Sequence, residues 1–231
     1  HIGGCLSITE LISVLYGKQM KFDPKNPHWE GRDYLVMSKG HAAPAVEAAL
    51  AEKGFFDKSL LLTMDDIGTK IPSHVDRLLT PGIDVTCGSL GQGASVASGI
   101  AYGLKHAGRD NQYVYVCLGD GEMNEGQNWE AFQFMAHNKL NNCIVFIDYN
   151  KRQHDGYCEE VLKPFSFEEK MKAFGFWCIT VDGASEEAID EGINAAKAVK
   201  DQAVCIVLDT VKGQGIRYYE EMQDNHSPKV F

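Results

Sequence analysis

No Cys-x-x-Cys pair occurs among the seven cysteines, which lie at 5, 87, 117, 143, 158, 178 and 205. Cys117, Cys143 and Cys205 fall inside apolar, strand-like runs, so buried reduced thiols and a reducing, cytoplasmic setting are expected. There is no apolar run long enough to span a bilayer, no signal peptide, and no repeat or low-complexity tract, so no membrane partner is expected. Long basic runs are missing too. With 22 Lys and Arg against 32 Asp and Glu, the net charge of −10 argues against a nucleic-acid surface. It does not oppose phosphate binding, because one bound cation overrides the global sign locally. No Gly-x-Gly-x-x-Gly follows the first strand-like run, which disfavours a dinucleotide-binding domain. No methionine opens the chain, so residues before His1 are expected to have been lost or left out.

The 231 residues suffice for one large α/β domain with a real core, and a hydrophobic content of 44% fits a globular chain. No domain boundary is visible, so residues 1–231 read as one domain. Residues 5–16 form a helix candidate with Leu6, Ile8, Leu11, Ile12 and Leu15 on one face. Residues 20–31 read as a loop, 34–37 as a short strand, and His41 opens an alanine-rich helix. Residues 68–88 have prolines at 72 and 81 and no helical period, an excursion long enough to suggest function. Residues 91–106 carry small residues at helical spacing, which suits close packing on a sheet or on a second chain. Later come strands at 177–181 and 204–209 around a helix at 185–200, then a polar tail from Lys212. Alternating strands and helices predict a doubly wound parallel sheet flanked by helices.

Chemistry concentrates at two strand ends. The apolar run 113–118 ends in Gly119-Asp120-Gly121-Glu122, and the run 143–147 ends in Asp148-Tyr149-Asn150. Between them, residues 125–140 read as a helix with Trp129, Phe132, Met135 and Ala136 on its apolar face. If the strands are neighbours in a parallel sheet, Asp120 and Asn150 leave it at the same edge, where open α/β sheets bind ligands. One carboxylate and one amide oxygen cannot cage magnesium, but they hold it when phosphate oxygens and water complete the octahedron. Gly119, Gly121 and Gly126 permit close backbone approach, and a helix N-terminus favours an anion.

This pattern resembles the thiamine-diphosphate signature, and further segments narrow the resemblance to the transketolase family. His1-Ile2-Gly3-Gly4, Met37-Ser38-Lys39-Gly40-His41, Pro72-Ser73-His74, Thr86-Cys87-Gly88-Ser89-Leu90-Gly91-Gln92-Gly93, and Thr210-Val211-Lys212-Gly213-Gln214-Gly215 followed by His226 resemble its ordered motifs. The resemblance implies thiamine diphosphate and Mg2+ (or Ca2+) as cofactors, with metal held by Asp120, Asn150 and a backbone carbonyl near Arg152. Gly88, Ser89, Leu90, Gly119, Asp120, Gly121, Glu122, Asn150, His154 and Lys212 would line the cofactor. His1, His41, His74 and His226 would bind donor hydroxyls and move protons. The implied activity is transfer of a two-carbon ketol unit between sugar phosphates. Glu125 and Glu130 read either as acids suited to a helix N-terminus or, by the resemblance, as carboxylates at a subunit contact.

Two positions depart from the family pattern. Ser89 replaces a proline, and His154 stands where an apolar residue usually faces the thiazolium. No segment matches the family's pyrimidine-binding domain, so a partner subunit carrying that domain is expected, in a heterotetramer of two chains of each kind. The alternatives are a subunit of a 2-oxoacid dehydrogenase, a deoxyxylulose-phosphate synthase, or a non-catalytic binding domain.

Overall fold

The computed structural model describes residues 1–222 and 224–226. Its elements are α1 (Ile2–Leu6), α2 (Thr9–Val14), β1 (Tyr34–Met37), α3 (Ala43–Glu52), α4 (Gly93–His106), β2 (Val114–Gly119), α5 (Gly126–His137), β3 (Cys143–Tyr149), the small hairpin β4 (Arg152–Gln153) and β5 (Gly156–Tyr157), α6 (Cys158–Val161), α7 (Phe167–Ala173), β6 (Phe176–Asp182), α8 (Glu186–Ala198), β7 (Ala203–Asp209) and α9 (Arg217–Glu221). Five strands form one parallel sheet in the order β1-β2-β3-β7-β6. One layer of helices includes α2, packed against α3 and α8; α4 and α5 pack together, with Trp129 of α5 5.1 Å from Phe174 after α7. The parallel sheet flanked by helices is the fold class that the sequence predicts.

The residues explain these elements. Cys143 to Ile147 and Val114 to Leu118 are wholly buried, so both strands read as continuous apolar runs rather than alternating ones. In α8, Ile189, Gly192, Ile193 and Ala196 repeat at helical spacing on the buried face, and the Ser185 side chain caps the first turn at Ala188 N. Phe132 of α5 lies between Trp129 and Phe176, with ring centroids 5.6 and 5.8 Å away.

Three local readings are corrected. The helix expected over residues 5–16 is broken at Ser7 and Ile8, where Ile8 leaves helical backbone at φ −121, ψ 12. Ser7 is buried and donates to Asp148 Oδ2 at 2.6 Å, so a contact with the sheet edge overrides the helical period. The polar tail from Lys212 contains α9, and Gly3 N donates to Asn225 O at 2.9 Å, which ties this segment to α1. Finally, α7 has no counterpart in the sequence reading. It has seven residues and only Phe167 and Met171 buried, too little for a visible period.

Candidate active site at the carboxyl edge of the sheet

Gly119 of β2 pairs with Asp148 of β3, so Asp120 and Asn150 emerge side by side beyond the carboxyl edge. Asp120 N donates to Asp148 O at 3.1 Å, which closes the last rung between the two strands. The strand order reverses between β3 and β7, and such reversals leave a crevice at the carboxyl edge.

Asp120 is 4% exposed. Its Oδ1 accepts from Gly121 N at 2.7 Å and its Oδ2 from Lys151 N at 2.6 Å. Lys151 has φ +67, a left-handed conformation that aims its amide at the carboxylate. Burial, with Asp148 adding repulsion, pushes the Asp120 carboxyl up to about 6, so a bound cation would favour its ionised form. Asn150 lines the cleft and its Oδ1 accepts from Arg152 N at 3.1 Å. The Arg152 carbonyl accepts from Lys212 Nζ at 3.4 Å, while its guanidinium turns away to Met222 O and the Tyr157 hydroxyl. Arg152 therefore offers only its backbone carbonyl as an oxygen donor. Among the described residues no three His, Cys, Asp or Glu side chains gather to hold a metal. The oxygen donors present fit a hard cation whose remaining positions are filled from a diphosphate.

Glu122 lines the same cleft but spends both oxygens on the scaffold. Oε1 accepts from Ser38 Oγ and from Gly91 N at 2.9 Å, and Oε2 accepts from Gly119 N at 3.0 Å. One buried carboxylate thus clamps the loops after β1, before α4 and after β2. Gly91 is required in its loop: at φ +86, a Cβ would stand 2.7 Å from Glu125 Cβ. Gly88 and Leu90 line the cleft, and Ser89 lies exposed between them. Glu125 and Glu130 are exposed at the start of α5.

The histidines come together. The His1 ring lies 5.4 Å from His41, 5.1 Å from His74 and 5.0 Å from His226, and His41 lies 5.3 Å from His226. Burial, helped by the Lys39 ammonium, lowers His41 to about 2. Burial and then Lys212 lower His226 to about 4. Both imidazoles are neutral at pH 7, each with one ring nitrogen free of a proton to accept a hydrogen bond. His154 is exposed at the rim, 5.2 Å from the His226 ring, with Nδ1 3.0 Å from Asp155 Oδ1. Lys212 is buried; burial pushes its ammonium down, with Asp120 opposing that shift. His106 stays apart, 3.9 Å from the Tyr102 ring.

The cleft, of about 320 Å³, also includes Gly4, Lys39, Gln153 and Asp155, which carried no role in the sequence reading. Lys39 is 1% exposed. Burial opposes its charge most strongly, but Asp148, with Cys117 and Cys5 adding to it, outweighs burial and holds the ammonium above its ordinary range. A signal for Asp148 existed in the sequence: it stands two residues before Asn150, and that spacing returns to the same side of a strand.

Comparison with known proteins shows the family. The family described as "Transketolase, thiamine diphosphate binding domain" matches residues 1–230. The chain is 44% identical over 230 residues to the 6-deoxy-6-sulfo-D-fructose transketolase subunit of Clostridium sp. (strain MSTE9), covering 100% of this chain and 83% of that protein. It is 33% identical over 226 residues to one subunit of the apulose-4-phosphate transketolase of Actinobacillus succinogenes, covering 98% and 81%. Human transketolase is 36% identical over 231 residues, but there the chain spans only 36% of the relative's length. The solved transketolase of Leishmania mexicana superposes with a TM-score of 0.83 at 30% identity, over 94% of this chain and 37% of that one.

Proposed function

The chain belongs to the transketolase family, through its thiamine diphosphate binding domain, and from that premise we propose that it is the diphosphate-binding subunit of a divided enzyme that moves a two-carbon ketol unit from a ketose phosphate to an aldose phosphate. The observation that carries this reading is the meeting of His1, His41, His74 and His226 at one cleft with Asp120 and Asn150. These imidazoles come from four distant segments, and no core requirement gathers four of them at a polar rim.

When bound, thiamine diphosphate supplies the electron sink for the breaking carbon–carbon bond. Asp120, Asn150 Oδ1 and the Arg152 carbonyl would hold the divalent cation, Mg2+ or Ca2+, that carries its diphosphate. The Gly88-Ser89-Leu90 turn would meet the aminopyrimidine through backbone atoms, and Gly119 leaves room for the diphosphate, while a Cβ at Gly121 would stand 2.7 Å from Gln153 Cβ. Lys212 sets a positive charge beside it. His41 and His226, neutral at pH 7, would accept hydrogen bonds from donor hydroxyls, and the four imidazoles together would relay a proton from the donor hydroxyl to the acceptor oxygen. His1 and His74 would bind neighbouring hydroxyls, and His154 at the rim would face the sugar.

The proposed donor class is a ketose with an anionic far end. The relative named for 6-deoxy-6-sulfo-D-fructose, at 44% identity, supports a second reading in which a sulfonate replaces the phosphate. A partner subunit carrying the pyrimidine-binding domain, in a heterotetramer, is proposed from the match to two proteins named as subunits over about four fifths of their length. The test is cofactor binding by calorimetry with magnesium and thiamine diphosphate. Asp120→Ala should lose that binding while its circular dichroism stays unchanged; normal affinity in the variant would sink the assignment. Carbon dioxide release from a 2-oxoacid, in place of ketose formation, would favour the dehydrogenase alternative.

A further inference from the structure

Asp148 is fully buried at the end of β3, behind the cleft. Four side chains from four segments converge on its carboxylate. Ser7 Oγ at 2.6 Å, Lys39 Nζ at 2.5 Å and Asn150 Nδ2 at 2.9 Å donate to Oδ2, and Thr210 Oγ1 donates to Oδ1 at 2.5 Å. They come from the break between α1 and α2, the loop after β1, the turn after β3 and the end of β7. Beside an ammonium, a carboxylate only accepts hydrogen bonds. It therefore admits one of the two near-isosteric orientations of the Asn150 amide. The nitrogen must face Asp148, and the oxygen must face away. Asn150 Oδ1 then accepts from Arg152 N at 3.1 Å, and both residues line the cleft.

We propose that Asp148 is a positioning residue for the cation site: it fixes the Asn150 amide with its oxygen toward the cleft, and Lys39 balances its charge. The proposal rests on the reading of Asp120 and Asn150 as ligands. Lys39 matters because an unpaired carboxylate at this depth would be strongly destabilising and would crowd Asp120 with a second negative charge. Thr210 and Ser7 complete the carboxylate's acceptor sites but do not themselves reach the cleft.

The test uses the full chain and two readouts. Without any ligand, the side-chain amide protons of Asn150 in the wild type should exchange with water at least about tenfold more slowly than those of exposed Asn26. Asp148→Asn should remove that protection. Its Kd for Mn2+ in the presence of thiamine diphosphate, read by electron paramagnetic resonance, should rise about 10- to 100-fold, as loss of an outer partner does. Asp148→Asn also strands the Lys39 ammonium, so the neutral pair Asp148→Asn/Lys39→Met is measured beside it. Thr210→Val removes another donor to Asp148 without touching Asn150, and should change both readouts less than about threefold. An unprotected Asn150 amide in the wild type would overturn the proposal even if every variant fails to fold. So would unchanged Mn2+ affinity in a folded Asp148 variant, or an equal loss in Thr210→Val. A wild type that protects Asn150 but binds no Mn2+ would remove the ligand reading of the site and leave the fixed orientation standing.

Discussion

Glu47 is the residue whose environment contradicts its chemistry most plainly. It is fully buried in α3, and neither carboxylate oxygen has a hydrogen-bond partner among the described residues. The Thr80 hydroxyl lies near, but its proton goes to Lys70 O at 2.6 Å. Burial, with Asp65 adding repulsion, pushes the Glu47 carboxyl from 4.5 up to about 8. Between those values the folded chain keeps a proton that the unfolded chain has released. Stability should therefore fall as pH rises through that window and level off above it. Glu47→Gln removes the ionisation, so its advantage over the wild type should be small at acid pH and reach roughly 3–5 kcal/mol at alkaline pH. Urea unfolding across the range decides; identical pH profiles for the two proteins would refute the assignment. The same scale holds what sequence reading missed at the site. Asp120 and Asn150 were legible because glycine turns and strand ends mark them locally. Lys39 was quoted in a motif without a role, because nothing beside it in the chain tells that its ammonium lies 2.5 Å from a carboxylate 109 residues on.

At the scale of elements, the ends of helices are where this fold has room to improve. Lys139 follows α5 with φ +50, the left-handed conformation that usually belongs to glycine after a helix. Its N–H bonds Ala136 O at 3.1 Å and its carbonyl accepts from Lys105 Nζ at 2.7 Å; both are backbone groups that survive substitution. The side chain is exposed. Lys139→Gly should therefore raise stability by about 0.5–1 kcal/mol, about 1–4 °C in Tm for a chain of this size. A fall in Tm would mean that the exposed side chain carries a contact worth more than the strain. Element types were legible wherever a period ran long enough. α8 shows helical spacing over thirteen residues, and β2 and β3 show unbroken apolar runs. α1 and α2 could not be separated in advance. The apolar period continues through Ser7, and only the carboxylate of Asp148, 141 residues away, draws that side chain inward.

At the scale of the molecule, the chain spans about a third of the length of single-chain transketolases and about four fifths of two subunit relatives. On α4, Gly99 and Gly103 face open space, and Val96 and, on α5, Phe134 are each 41% exposed. This small-residue and apolar face suits the subunit contact proposed above. With magnesium and thiamine diphosphate alone, the isolated chain is expected to show no ketol transfer, and turnover should appear when a subunit with the pyrimidine-binding domain is added. Full turnover from the lone chain would overthrow the divided enzyme. By itself the sequence determined the alternation of strands and helices, the pairing of Asp120 with Asn150, and the family, because each is written in residue types and spacings along a short stretch. The tertiary structure alone decided that β7 inserts beside β3, that imidazoles from positions 1, 41, 74 and 226 share one cleft, and that Asp148 gathers Ser7, Lys39, Asn150 and Thr210. Those contacts join segments far apart in the chain, and their partners are chosen by the packing of the sheet, which no local period encodes.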